Sequence, residues 1–147
     1  MFLLRVEAEV RPTEDVSKVK RSILNVVGID SKDLKVVETP SNELLVVGES
    51  RDIKSLARFH EVLRHDRILD AARKVMLASA KGSTLVIKLH KQSAYAGHVS
   101  FITYDDESPL GPITIAIVSG KLKDIIDWLA PKTSRGRPLW ERGIPSV

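Results

Sequence analysis

The chain contains no cysteine. That excludes a disulfide framework, a thiolate nucleophile and a zinc–thiolate centre. Aromatic residues make up only 5% of the 147 positions. This is too few for a sheet surface tiled with stacking rings, and the aromatic signature of an RNA-recognition-motif strand is missing. Asparagine occurs only as Asn25 and Asn42, and glutamine only as Gln92, beside abundant Lys, Arg and Glu. That balance leans toward a thermophile. No apolar run reaches the length of a membrane-spanning helix. The opening MFLLRVEAEV is interrupted by Arg5 and Glu7, so it does not read as a signal-peptide core. The expected location is the cytoplasm, with no membrane partner. HExxH, GxSxG, P-loop and GxGxxG patterns are all absent. The expectation is therefore a protein that is not an enzyme and that carries no cofactor.

What is present is an ordinary globular balance, 43% hydrophobic and 29% charged, enough for one well-buried core. The net charge of +4 is unevenly spread. Residues 1–50 hold seven basic and nine acidic side chains, residues 51–80 seven and four, and residues 81–104 three and none. Residues 105–131 hold two and five, and residues 132–147 four and one. Three basic regions thus alternate with two acidic ones, the kind of footprint a polyanion site leaves. The organisation predicted is a single α+β domain over 1–131 followed by a basic C-terminal tail, 132–147.

Strands announce themselves by period-2 alternation, because successive side chains point to opposite faces. Phe2–Val10 alternates in this way, as do residues 85–90, 99–104 and 113–118. Leu34–Thr39 and Leu44–Glu49 read as two more strands, joined across Pro40-Ser41-Asn42. Thr13 is the expected cap of a first helix whose buried stripe is Val16, Val19, Ile23 and Val26, with Gly28 closing it in the left-handed conformation. Residues 53–80 are helical in period, with a junction at His65-Asp66 that periodicity leaves open as break or continuation. The basic positions Arg51, Lys54 and Arg58, then Arg64, Arg67 and Lys74, read as a solvated face with local pairs such as Asp70–Lys74. The alternative is a stripe tracking a phosphate backbone. A last helix follows Gly120 and stops at Ala130-Pro131. The fold class predicted is α+β: a largely antiparallel sheet of about six strands with helices gathered on one face, a two-layer domain. The other sheet face would be left open.

Chemistry concentrates in two places. The stretch from Lys88 through His90, Lys91, Gln92 and Tyr95 to His98 reads as strand, loop and strand. Cations interleaved with an amide, an aromatic ring and small residues suit RNA, where phosphates take the charge and unpaired bases stack on rings. The tail adds Arg135, Arg137 and Arg142. Of the four histidines, His60 and His65 are five apart and diverge on a helix, while His90 and His98 could meet across the loop. No third ligand accompanies them in sequence, so no metal site is expected. Asp105-Asp106-Glu107 reads as a solvated acidic turn.

VEAEVRPTEDVSKV, RILDAAR, KLHKQSAYAGHVSF and ESPLGPITIAI together resemble an archaeal protein family classed as RNA-binding. That family's fold is similar to the large-subunit ribosomal protein "L-five". The resemblance spans nearly the whole chain and implies an RNA partner; it carries no residue roles. The expectation is an RNA-binding protein whose basic surface combines residues 88–98 with the tail. The alternatives are an interaction module forming a homodimer through the open sheet face, anchored by Leu139 and Trp140, and, third, a small-molecule enzyme using His90, His98 and the acidic turn.

Overall fold

The alternating residues that open the chain become its central strand. The structure, a computed structural model, describes residues 1–103 and 110–147. Strand β1 (Phe2–Val10) pairs antiparallel with both β3 (Leu44–Ser50) and β5 (Pro112–Ser119). β2 (Lys35–Glu38) and β4 (Thr84–His90) complete the sheet at its edges, in the order β2-β3-β1-β5-β4. Register sets the layers. Leu4, Ile117 and Leu85 form one row across three strands, Val6, Ile115 and Ile87 the next, and Ala8, Ile113 and Leu89 a third. All nine are buried, so the alternation read from sequence becomes one continuous apolar floor.

Helices cover that floor. They are α1 (Val16–Leu24), α2 (Ala57–His65), α3 (Leu69–Ser79), α4 (Lys91–Tyr95) and α5 (Leu122–Leu129). Val19, Ile23, Phe59, Leu63, Met76, Ile125 and Leu129 join the strand residues in one core. The layer packs closely at Gly48, and Gly28 donates its N–H to Ser55 O at 2.7 Å. A Cβ on Gly48 of β3 would stand 2.6 Å from Leu34 Cδ2, and one on Gly28 would touch Ser55 O at 3.4 Å. The two-layer α+β arrangement is as predicted. No helix among the described residues is long and apolar enough to cross a membrane.

Several local expectations are corrected. Asp15, not Thr13, caps α1: its carboxylate accepts the Ser17 N–H at 2.9 Å. Helix α1 ends at Asn25, and Gly28 serves close approach rather than a left-handed turn. The His65-Asp66 junction is a break. Ile68 N–H reaches back to Leu63 O and Arg67 takes a φ of 55°, the geometry that closes a helix. Lys91–Tyr95 is a turn of helix, not a loop, capped by His90.

Among the described residues the main sheet has five strands, in keeping with the expected sheet of about six, and residues 99–103 do not form a strand of it. Residues 99–103 meet β4 at the antiparallel bridge of Leu89 with Phe101, made by His90 N–H to Ser100 O at 2.8 Å and Ile102 N–H to Lys88 O at 3.0 Å. Their burial breaks period 2: Val99 and Ile102 are both inside. Tyr104 and the acidic turn Asp105-Asp106-Glu107 lie outside the described residues.

The tail is not a free extension. Thr133–Ser134 and Arg137–Pro138 pair as a small hairpin, and the rest crosses the helical layer. Arg64 of α2 grips the Glu141 carboxylate with Nε at 3.0 Å and an Nη at 2.6 Å, and also donates to the carbonyls of His60, Leu129 and Trp128. The guanidiniums of Arg73 and Arg142 lie over the ring of Trp140, 5.9 and 4.7 Å from its centroid.

Candidate nucleic-acid interface

The residues singled out by sequence fall in three separate places. Lys88 belongs to the open sheet face, in register with Thr114 of β5. That face is partly self-neutralised, since Arg5 pairs with Glu49 at 2.7 Å and with Glu7 at 3.4 Å. His90, Lys91, Gln92, Tyr95 and His98 are grouped on and around α4. Arg135, Arg137 and Arg142 belong to the tail over α2, α3 and α5.

Within the α4 group the chemistry divides sharply. Lys91 is 3% exposed. Its ammonium donates to Leu110 O at 2.6 Å, Glu9 O at 2.7 Å and Glu14 Oε1 at 3.0 Å. An ammonium has three donors, and all three point inward, so Lys91 is a structural tie and not a phosphate contact. His90 is half committed as well: its Nδ1 accepts the Ser93 N–H at 3.2 Å. Gln92, Tyr95 and His98 are exposed, Tyr95 by 46%.

Helix α1 supplies what Lys91 withdraws. Asn25, at its C-terminal end, donates its amide to the carbonyls of Ala94 and Tyr95 at 3.0 and 3.1 Å, locking α1 to α4. On one side of this lock lies a cleft of about 270 Å³ bordered by Lys18, Val19, Ser22, Gln92 and Tyr95. On the other, a groove of about 280 Å³ is lined by Asn25, Arg58, Glu61, Val62, His65 and Gly97. A cation, an amide and an open aromatic ring share the first cleft; a guanidinium and an imidazole share the second. The acids that line the first cleft, Glu14 and Asp15, are already engaged. Glu14 is paired with Lys91, and the Asp15 carboxyl is held below the usual range by the Ser17 backbone and hydroxyl.

Beyond the groove, Asp66 stands where α2 stops. Its Oδ2 accepts the Val99 N–H at 2.9 Å, while Oδ1 faces Nδ1 of His98 at 3.0 Å and of His65 at 3.3 Å. Burial alone would raise this carboxyl's pKa; the hydrogen bonds from His98, Val99 and His65 outweigh it and hold the group below its usual value. His98 therefore meets His65, and His90 is engaged elsewhere. Sequence reasoning missed Lys18, Asn25, Arg58 and Asp66 as neighbours of α4. The only local hint was the polar His65-Asp66 pair at the helix break.

In the tail, Arg142 is bound to Asp127 at 3.3 Å and to the face of Trp140. Arg135 and Arg137 flank the exposed hairpin turn. Trp140 is engaged by two arginines and is not offered as a docking anchor; Leu139 beside it is 61% exposed.

Comparison with known proteins places this arrangement among relatives. A protein-family model described as "RNA binding" matches residues 4–119. A UPF0201 protein of Metallosphaera sedula is 47% identical over 145 residues, covering 99% of each chain. A UPF0201 protein of Aeropyrum pernix is 48% identical over 97% of this chain and 93% of its own length. The crystal structure of the Methanococcus jannaschii UPF0201 protein superposes with a TM-score of 0.79 at 31% identity, over 93% of this chain and 98% of that one. A fold of this order, shared along nearly the full length, makes the chain a member of the UPF0201 family, whose matching model is described as RNA binding.

Proposed function

We propose that the protein binds RNA, taking unpaired nucleotides on the face built by α1, α4 and α2. The observation that carries the reading is the cleft in which Lys18, Gln92 and the open ring of Tyr95 come together. The ring offers a stacking platform that tolerates any base, the amide offers edge contacts, and the cation meets the phosphate. Arg21, exposed one turn along α1, and Arg58 in the neighbouring groove extend the positive track. His98 stands at its far end, with Arg135 and Arg137 of the tail as further phosphate contacts. The family description supports the class of ligand.

The test is fluorescence anisotropy with a labelled single-stranded RNA over a range of salt. With about four phosphates neutralised, log affinity should fall against log salt with a slope near −3. Tyr95→Ala should weaken binding by about 1–3 kcal/mol and leave that slope unchanged, while Tyr95→Phe binds almost as the parent does. A flat salt titration, or a folded Tyr95→Ala with parental affinity, would remove this site.

A further inference from the structure

The His65, Asp66 and His98 cluster has more order than a binding face requires. Asp66 is the fixed member: its side chain is 11% exposed and Oδ2 is held by the Val99 N–H. That bond leaves Oδ1 as the single oxygen turned outward, and both imidazole Nδ1 atoms approach it, at 3.0 and 3.3 Å. One ligand atom from each of the three residues lies within 4.8 Å of the others. Two ligand atoms bound about 2.0–2.1 Å from a tetrahedral ion stand roughly 3.3–3.4 Å apart; the two spacings to Asp66 Oδ1 are already close to that, and the imidazole pair, within 4.8 Å, closes to reach it. The two imidazoles are free to make it, being 79% and 56% exposed.

We propose that His65 Nδ1, His98 Nδ1 and Asp66 Oδ1 form a site for a single transition-metal dication of the zinc class. Two imidazoles and one carboxylate suit such an ion, whereas hard cations prefer all-oxygen sets. Carboxylate coordination is monodentate, because Oδ2 keeps its backbone partner, an outer-shell bond of the kind that orients ligands. Each imidazole would bind as the neutral tautomer, with its lone pair on Nδ1 and its proton on Nε2. Three protein ligands leave a fourth position open to water or to an oxygen ligand. That position faces solvent beside the groove that His65 lines with Arg58 and Glu61. The ion would join the C-terminal end of α2 to the segment that follows α4, adding to the tie already made by Asp66 and Val99.

The site does not depend on RNA binding and is tested without nucleic acid. Metal-stripped full-length protein is titrated with Zn(II) by calorimetry, and with Co(II) by visible absorption to report coordination number. One ion per chain is expected, with a dissociation constant in the micromolar range or tighter and the intense absorption of four-coordinate Co(II). His65→Ala and His98→Ala, both at exposed positions, should each weaken binding at least tenfold. His90→Asn keeps the cap of α4 while removing an imidazole outside the cluster, and it should bind as the parent does. The proposal is overturned if the parent shows no saturable binding at millimolar Zn(II), or if both His→Ala variants retain parental affinity.

Discussion

Replacing Lys91 by methionine separates two readings of one residue. As an RNA contact, Lys91 could be replaced with loss of affinity and no loss of stability. As the structure has it, the ammonium closes a pocket between β1, α1 and the residues leading into β5, bonding Glu9 O, Leu110 O and Glu14 Oε1 at 3.0 Å or less. Methionine matches the length and fills the channel, so the change is electrostatic rather than a cavity. It takes the cation from a carboxylate that is 11% exposed and keeps the Arg11 N–H at 2.9 Å, and it takes a donor from two carbonyls. Breaking a buried pair from one side costs about 3–5 kcal/mol, most of it the uncompensated charge left behind. Water reaches part of Glu14, so the low end applies, about 3 kcal/mol.

For a chain of this size, roughly 2–4 °C of melting temperature accompanies each kcal/mol, which gives a fall of about 6–12 °C. Thermal melts and urea unfolding of the parent and Lys91→Met measure it. The double variant Lys91→Met with Glu14→Gln removes the stranded charge and should recover part of the loss, because the neutral amide tolerates burial better than the ion. A single variant that melts within about 1 kcal/mol of the parent would refute the assignment of Lys91 as an internal tie.

Gly48→Ala should destabilise by about 1–3 kcal/mol in the same unfolding assay, since its methyl would meet the Leu34 side chain at 2.6 Å in a closed core. Acid should loosen the tail. Arg64 hydrogen-bonds the Glu141 carboxylate and holds its pKa below the usual 4.5. A depressed carboxylate stabilises fully above its unfolded value and loses that contribution as pH falls through the lower folded one. Unfolding measured from pH 7 to pH 3 should therefore steepen below about 4.5, and Glu141→Gln should flatten that limb. Asp127 follows the same sign. Burial would raise it, but Lys123 and Arg73 hold it below 3.8, so its contribution is lost as pH falls below that value. Arg137→Ala should leave stability within about 0.5 kcal/mol of the parent and reduce the RNA salt slope by roughly one unit or less. Arg142→Ala should loosen the tail, measured as faster amide exchange around Trp140.

The sheet was legible because burial acts on every second residue along a whole strand. Phe2–Val10 and residues 112–119 each offer four or more inward positions in phase, and no local competitor outweighs that much buried surface. Residues 99–103 show the limit of the signal. Val99, Phe101 and Thr103 alternate by composition, yet the segment is held by point contacts: Val99 N–H to Asp66, His90 N–H to Ser100 O and Ile102 N–H to Lys88 O. A few apolar residues in phase are compatible with an irregular path as well as with a strand. Helix α4 was illegible for a related reason. Five residues are too few to display a period, and histidine is not among the usual N-cap residues.

The polar chemistry was readable as composition and unreadable as pairing. Lys91 and Glu14 are 77 residues apart, and Arg64 and Glu141 are equally distant in sequence. Nothing near either residue marks it as engaged. A lysine bound for the interior and one bound for solvent look the same in one dimension; the difference arises only when the fold brings up acceptors for all three of its protons. The same reasoning explains why the tail arginines part company. Arg142 lands beside Asp127, a carboxylate already shared by Arg73 and Lys123, whereas Arg137 is carried out by a two-residue hairpin. Sequence counts them as equal charges. Only exposed charge can meet a phosphate, so the candidate interface lies where the fold leaves cations exposed beside an open ring, on the face shared by α1 and α4.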